Sequence, residues 1–355
     1  MNEQNKILQF FDQVCNTTIP FELVMEISKN KKYKIDTLTL KLTLENIDPK
    51  LKIINLSLNS TINKVYRIYK LLKNSDYDII NTHHTKSSLI IYLMYKIFYR
   101  KIFKDKIKWV HTVHNDYRFY KFYQKFIFNR IYMNADKIIC NSNNTFNSLP
   151  KKYHSYQNIK VIYNGVNIER VNASGVKIKD KEKIIFSANR FVPQKNLISL
   201  INAFNNVHSQ FPSWKLYLCG DGPLKPELIE YSRSLESSDC ILFLGILPRE
   251  SVYDFMKRSS VYVTPSLWEG FCNSNVEAMA SGCALLSSNV GPLPEIAKDS
   301  AKYFTPTSLS DFENGLINIL KNESARNELS ERAIKRSTYF DIKIAANNYL
   351  DFYLK

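Results

Sequence analysis

Glycine is scarce in this chain: there are nine in 355 residues, and none before Gly165. The first half therefore has no Gly-rich phosphate loop. No Gly-x-Gly-x-x-Gly turn follows its first strand either, which argues against a dinucleotide-dependent oxidoreductase. Cysteine pairs are missing too. The six cysteines (Cys15, Cys140, Cys219, Cys240, Cys272 and Cys283) form no Cys-x-x-Cys and no zinc-like spacing, so reduced thiols in a cytosolic protein are the simplest reading. The most apolar stretch, Leu89 to Tyr99, is interrupted by Lys96 and is too short to span a bilayer. Met1 to Asp12 lacks the basic start and long apolar core of a signal peptide.

Acidic residues are in deficit, with 33 Asp and Glu against 49 Lys and Arg, for a formal charge of +16. That balance implies an anionic partner: nucleic acid, acidic lipid or a phosphorylated substrate. The abundance of Lys, Asn, Ile, Tyr and Phe also fits an AT-rich genome, which would supply lysines without function. The 45% hydrophobic content fits a soluble, ordered protein. The length allows about two domains, each with its own core.

The second half alternates apolar strands with amphipathic helices. Strands are expected at Lys183–Ser187, Lys215–Cys219, Ile241–Gly245, Val261–Thr264 and Ala284–Ser287. This rhythm indicates a parallel sheet covered on both faces, with ligands beyond the carboxyl ends of its strands. The first half repeats it more faintly at Ile7–Phe10, Lys34–Leu42, Asp78–Thr82, Trp109–Thr112 and Lys137–Asn141, with Val161–Val166 as its last strand. A lysine-rich passage to about Lys183 reads as the hinge. The fold class is thus α/β with parallel sheets.

Between Glu269 and Glu277 two carboxylates flank a loop that turns into a helix, where free backbone N–H groups suit a phosphorylated ligand. The acids would grip hydroxyls on that ligand, which suggests a sugar nucleotide. The structural alternative for Glu277 is a capping box, Ser274-x-x-Glu277, with Gly282 ending the helix. Arg190 and Lys195 follow the first strand of the second half. They suit a diphosphate, Arg190 through its fork and Lys195 as a mobile point charge; the alternative is two solvated loop charges. Gly291-Pro292-Leu293-Pro294-Glu295 gives another turn and acid. His83, His84, His111 and His114 lie at strand ends of the first half, without the acids that a metal site would add. His114 suits a substrate hydroxyl or phosphate, and a satisfied core or loop histidine is the alternative. Asp76-Tyr77-Asp78 only superficially matches a metal-binding acid pair.

Taken in order and spacing, these segments resemble a glycosyltransferase of the GT-B fold, family 4, the retaining group 1 transferases. The resemblance covers most of residues 75 to 320. It rests on Arg190 through Lys195, Gly220-Asp221-Gly222-Pro223, Phe243-Leu244-Gly245, Pro265 through Phe271, and Glu277-Ala278-Met279-Ala280-x-Gly282. It implies two Rossmann-like doubly wound domains facing a cleft: an acceptor-side domain over 1–165, a donor domain over 166–340, and a last helix, about 341–355, packing back on the first. It also implies catalytic roles for His114, Glu269, Arg190 and Lys195. Arg190 and Lys195 would neutralise the donor diphosphate, and Glu277 would accept from the ribose hydroxyls. Glu269 would hold the donor sugar with Gly270 and the amides of Phe271, Cys272 and Asn273, and Gly245 would offer backbone to the base. His114 would face the transferred sugar, and Asn164-Gly165 would form the interdomain turn. Transfer would be retaining, from a UDP- or GDP-sugar as substrate, with no cofactor and no metal.

Three departures from the family stand out. Gln13 through Thr18 replaces the N-terminal Gly-Gly loop, Cys272 stands where Gly or Pro is common, and Pro292 where a second Gly is common. From Lys86 to Lys137 basic residues interleave with aromatics, which suits docking on an anionic membrane without crossing it; aromatics in the core with solvated lysines are the alternative. The implied acceptor is a lipid-linked glycan at the inner face of the cytoplasmic membrane, in O-antigen, capsule or similar polysaccharide synthesis. The rivals are another GT-B enzyme such as a sugar-nucleotide epimerase, and a basic RNA-binding protein. The second has no RNA-binding motif to support it, so no nucleic-acid partner is expected.

Overall fold

A computed structural model describes residues 4–15, 19–43, 51–58, 60–173 and 181–354. Asn16, Thr17 and Thr18, and residues 174–180 of the expected hinge, lie outside the described residues. The chain divides into two compact units, Met1–Gly165 with Ile342–Lys355, and Val166–Asp341.

The first unit contains strands β1 (Asn5–Phe11), β2 (Val14–Cys15), β3 (Tyr33–Thr39), β4 (Leu42–Thr43), β5 (Lys52–Asn55), β6 (Ile79–Thr82), β7 (Lys108–Val113), β8 (Lys137–Cys140) and β9 (Ile159–Val161). Among the described residues the main sheet runs β5-β3-β1-β6-β7-β8-β9, and β2 pairs separately with β4; the pairings are parallel. The order reverses between β1 and β6, the topological switch point of a doubly wound sheet. Strand period two sorts side chains to opposite faces. Leu8, Phe10, Ile80, Trp109 and Ile138 join one core with the helices Thr61–Asn74, Thr85–Phe98 and Phe122–Tyr132. Ile7, Phe11, Ile79, Val110 and Ile139 join the other with Ile19–Ser28 and the C-terminal helix Ile342–Leu354. Gly165 permits this closure: a Cβ there would lie 2.5 Å from Ile342 Cα. The last strand ends at Val161 rather than continuing to Val166, with Ile162 N–H to Cys140 O as the final rung of its ladder.

The second unit contains β10 (Glu182–Ala188), β11 (Lys215–Cys219), β12 (Ile241–Gly245), β13 (Ser259–Thr264), β14 (Ala284–Ser288) and β15 (Ala301–Phe304). They pair in parallel in the order β12-β11-β10-β13-β14-β15. Its switch point lies between β10 and β13. The loops that leave those two strands carry Arg190 and Lys195 on one side and Glu269 on the other.

Candidate functional site

On the second unit, the loop after β10 is held by backbone hydrogen bonds. Phe191 N–H donates to Asp221 O (2.8 Å), and Leu224 N–H donates to Phe191 O (3.1 Å). The Gly220-Asp221-Gly222 turn fits against it because its two glycines lack a Cβ: one on Gly220, at φ +130°, would sit 1.9 Å from Asn189 O. The loop after β13 is tied to the first by Leu267 N–H to Gln194 O (2.8 Å) and by Gln194 Nε2 to Trp268 O (2.7 Å).

These ties bring Lys195 and Glu269 together. Lys195 Nζ lies 2.5 Å from Glu269 Oε1, which also accepts from Ser266 Oγ at 2.6 Å. The side chains retain 16% and 6% exposure, so the pair is largely desolvated. Burial alone would pull the Lys195 ammonium down, but the neighbouring Glu269 carboxylate, through its charge and its hydrogen bond, outweighs burial and raises it above its ordinary value. Lys195 is therefore a fixed buried cation, not the mobile point charge expected from the loop sequence. Arg190 is exposed, and among the described residues its side chain has no ion pair or hydrogen bond. Its charge opposes that of Lys195, so a free cation stands beside a committed one.

Glu277 does not cap the helix Asn273–Ala280. The helix begins at Cys272, which holds φ 72° and ψ 71° and makes no side-chain cap. Ser274 therefore lies inside the first turn, and the capping box read from the sequence does not form. The first-turn N–H groups at Asn273 have no capping side chain, which leaves an uncapped helix N-terminus beside Glu269. Glu277 Oε1 instead pairs with an Arg249 guanidinium nitrogen, and Tyr253 Oη stands 3.4 Å away. Arg249 Nε donates to Tyr253 Oη at 2.6 Å. Sequence reading missed Arg249; a basic residue in the first turn of a helix after β12, near an acid 28 positions later, carries no local signal.

The two carboxylates share one design. Each engages a cation and a hydroxyl through Oε1, and among the described residues Oε2 of each has no hydrogen bond. The cation holds the carboxylate oriented, and the second oxygen is left to accept from a ligand hydroxyl. Gly245 ends β12 at φ +69° with nothing within 4 Å of a Cβ position, so backbone there is open. Its carbonyl accepts from Gly220 N–H at 2.8 Å. Gly291 and Pro292 lead into a short helix, Leu293–Ala297, that carries Glu295.

Cys272 is a local fault line. A non-glycine residue in the left-handed region costs roughly 1–2 kcal/mol, while glycine would add roughly 0.5–1 kcal/mol of unfolded-state entropy. Burial pushes its thiol up to about 11, so it stays neutral. Cys272→Gly is expected to hold stability within about 1 kcal/mol of wild type in denaturant titration, although a buried side chain is removed.

On the first unit, the histidines at strand ends form one cluster. His83 and His114 rings stack with centroids 5.4 Å apart, and His84 lies 5.7 Å from His114. His83 Nδ1 is 3.1 Å from His114 Nε2. Burial first, and the neighbouring imidazoles second, hold both well below the ordinary histidine value. His111 points into the core instead, with Nδ1 on Thr82 and Ser88, and burial takes it down to about 3; it is the core residue of the set, although its Nε2 is buried without a hydrogen bond among the described residues. Among the described residues no group of three or more His, Cys, Asp or Glu is placed to hold a metal. Asp76 pairs with Lys6, and Asp78 accepts from Lys6 N–H. Where a Gly-rich loop is missing, Asp12 fills in: its carboxylate accepts from Ser87 N–H (2.6 Å) and Lys86 N–H (3.0 Å), occupying the N-terminus of helix Thr85–Phe98.

The basic, aromatic stretch 86–137 divides. Phe103, Phe128 and Tyr132 are core, Lys137 Nζ donates to Phe352 O and Tyr353 O, and Arg118 pairs with Asp116. Leu93, Ile97, Phe119, Phe122, Tyr123 and Phe126 are exposed. So are Ile62 and Tyr66 on helix Thr61–Asn74, outside the stretch singled out from sequence. The three helices cover one face of the sheet, so these exposed apolar side chains lie on the same side of the unit, with lysines and arginines among them. Among the described residues no helix is long and apolar enough to cross a membrane.

Comparison with known proteins agrees with this picture. Residues 170–336 match the family model for glycosyl transferases group 1, and residues 47–170 match that for glycosyltransferase family 4. The N-acetylgalactosamine-N,N'-diacetylbacillosaminyl-diphospho-undecaprenol 4-alpha-N-acetylgalactosaminyltransferase of Campylobacter jejuni is 26% identical over 62% of this chain and 61% of its own length. The UDP-Gal:alpha-D-GlcNAc-diphosphoundecaprenol alpha-1,3-galactosyltransferase of Escherichia coli is 26% identical over 75% of this chain and 72% of its own. The chain thus spans about three fifths of the first of these relatives. The crystal structure of HepE from Anabaena in complex with UDP superposes with a TM-score of 0.79, at 17% identity, over 98% of both chains. That likeness places the fold among two-domain GT-B proteins.

Proposed function

Since the chain belongs to the family 4, group 1 glycosyltransferases, we propose that it moves a hexose or related sugar from a UDP- or GDP-sugar to a lipid-linked glycan. The observation that carries this reading is the pair of buried carboxylates, each fixed by a cation on one oxygen and open on the other. Two such acceptors at the switch point suit the hydroxyls of a nucleotide sugar: Glu277 for the ribose, and Glu269, with the uncapped helix start at Asn273, for the donor sugar. Gly245 offers open backbone to the base. Arg190, exposed and uncommitted, meets the diphosphate and stabilises the charge that develops as the sugar leaves. Lys195 contributes its remaining protons from a fixed position. His114 of the first unit acts on the transferred sugar. Transfer proceeds with retention and without a metal, since two protein cations take the role of charge neutralisation.

The lipid-linked acceptor is supported by the two relatives, whose names place diphospho-undecaprenol in their acceptors. The apolar and basic outer face of helices 61–74, 85–98 and 122–132 suits an anionic bilayer at the cytoplasmic side, with surface polysaccharide such as O-antigen or capsule as the product. The test is transfer from UDP- and GDP-hexoses to polyprenyl-diphosphate-linked glycans carried in vesicles, with the product anomer read by NMR. Transfer with retention, faster on anionic than on zwitterionic vesicles and slowed by salt, is expected. Release of a free epimerised sugar nucleotide without transfer would contradict the reading.

A further inference from the structure

The buried polar network beneath His114 determines which nitrogen of its ring faces outward. Gln9, Asn81 and Thr112 project from β1, β6 and β7 to the sheet face covered by the C-terminal helix, and Tyr353 of that helix reaches them. Gln9 Nε2 donates to Tyr353 Oη at 3.0 Å, which leaves Gln9 Oε1, an acceptor only, 2.7 Å from His83 Nε2. His83 Nε2 therefore carries the ring proton, and its Nδ1 is bare. His114 Nε2, 3.1 Å from that bare nitrogen, must then be the protonated one. Asn81 Nδ2 lies farther from His83 Nε2, at 3.3 Å against 2.7 Å for Gln9 Oε1, and bonds Tyr353 at 2.8 Å with one of its two protons. Phe11 stacks on the His83 ring with centroids 4.3 Å apart, which fixes its plane. Among the described residues His114 Nδ1 has no hydrogen bond, and the ring is half-buried.

We propose that His83 is a positioning residue: anchored through Gln9 to Tyr353 of the C-terminal helix, it holds His114 in the Nε2–H tautomer and presents a bare Nδ1 to accept a sugar hydroxyl. This rests on the reading that His114 acts on the transferred sugar. The other ionisable neighbours are His84 and Asp12 at the rim of the cluster, His111 within the sheet, and Tyr349 on the C-terminal helix. The opposite Gln9 amide would reverse every proton in the chain, so the tautomer itself is decisive.

Nitrogen-15 NMR of histidine-labelled protein near neutral pH is expected to show His114 neutral and protonated at Nε2. His83→Phe, which removes the acceptor, is expected to give a mixture of tautomers and to lower kcat roughly 10–100-fold, the scale for removing a residue that orients a functional imidazole. The KM for the UDP- or GDP-hexose should stay unchanged. His83→Asn keeps an acceptor oxygen near the Nδ1 position and is expected to restore most of the turnover. A wild-type His114 protonated at Nδ1 would overturn the proposal, as would full activity of His83→Phe alongside a crippled His114→Ala. Full activity of His114→Ala would instead overturn the role given to His114, while the tautomer still decides whether His83 holds its ring.

Discussion

Replacing Glu269 by alanine is expected to cost about 3–5 kcal/mol of folding stability and to abolish donor turnover. The size follows from what remains: Lys195 keeps 16% side-chain exposure and loses the carboxylate 2.5 Å away, so a desolvated ammonium is left without a counter-charge. Two roles are entangled in that loss, and a double variant separates them. Glu269→Ala with Lys195→Met removes both charges, and replacing a buried pair with apolar groups is often neutral for stability. The double variant should therefore recover most of the folding stability in denaturant titration and none of the turnover. Recovery of turnover with stability would mean that the pair is scaffold alone.

Glu277→Ala is expected to weaken nucleotide binding by about 1.5–3 kcal/mol, the scale for a hydrogen bond to a charged partner, or roughly 10–100-fold in Kd. Its Oε1 is already engaged by Arg249 and Tyr253, so the ligand must use Oε2. Arg249→Gln leaves the carboxylate in place but untethered and should lose part of the same affinity. Isothermal titration with UDP and GDP reads both effects directly.

In the second unit Lys215–Cys219 and Ile241–Gly245 stand out as apolar runs and fold with the expected bounds, the second even though it is a half-buried edge strand. The strands Lys52–Asn55 and Ala301–Phe304 were not legible. Each is an edge strand of four residues in which an exposed lysine cuts the apolar run too short to stand out. Placing the candidate residues at strand ends required only local pattern, and Arg190, Lys195, Glu269 and His114 all follow strands. Their partners required the strand order. Lys195 meets Glu269 across 74 residues because β10 and β13 are neighbours, and Glu277 meets Arg249 across 28 because their helices pack together. The capping box was misread because Cys272 takes a left-handed conformation that its side chain gives no reason to expect. The partnership of His83 with His114 follows from β6 and β7 lying side by side, whereas the anchor at Tyr353 depends on a helix 270 positions further along the chain.

The central claim is a nucleotide-sugar site on the second unit, and ligand-induced thermal stabilisation tests it most directly. UDP, GDP, CMP, ADP, NAD and a short RNA are each added to wild type and to Glu277→Ala. A ligand at about 100 times its Kd adds ~2.7 kcal/mol, which raises Tm by roughly 2–4 °C in a protein of this size. The expected result is stabilisation of the wild type by UDP or GDP, with the response lost in the variant. Stabilisation by RNA alone, or a nucleotide response that Glu277→Ala leaves intact, would contradict it.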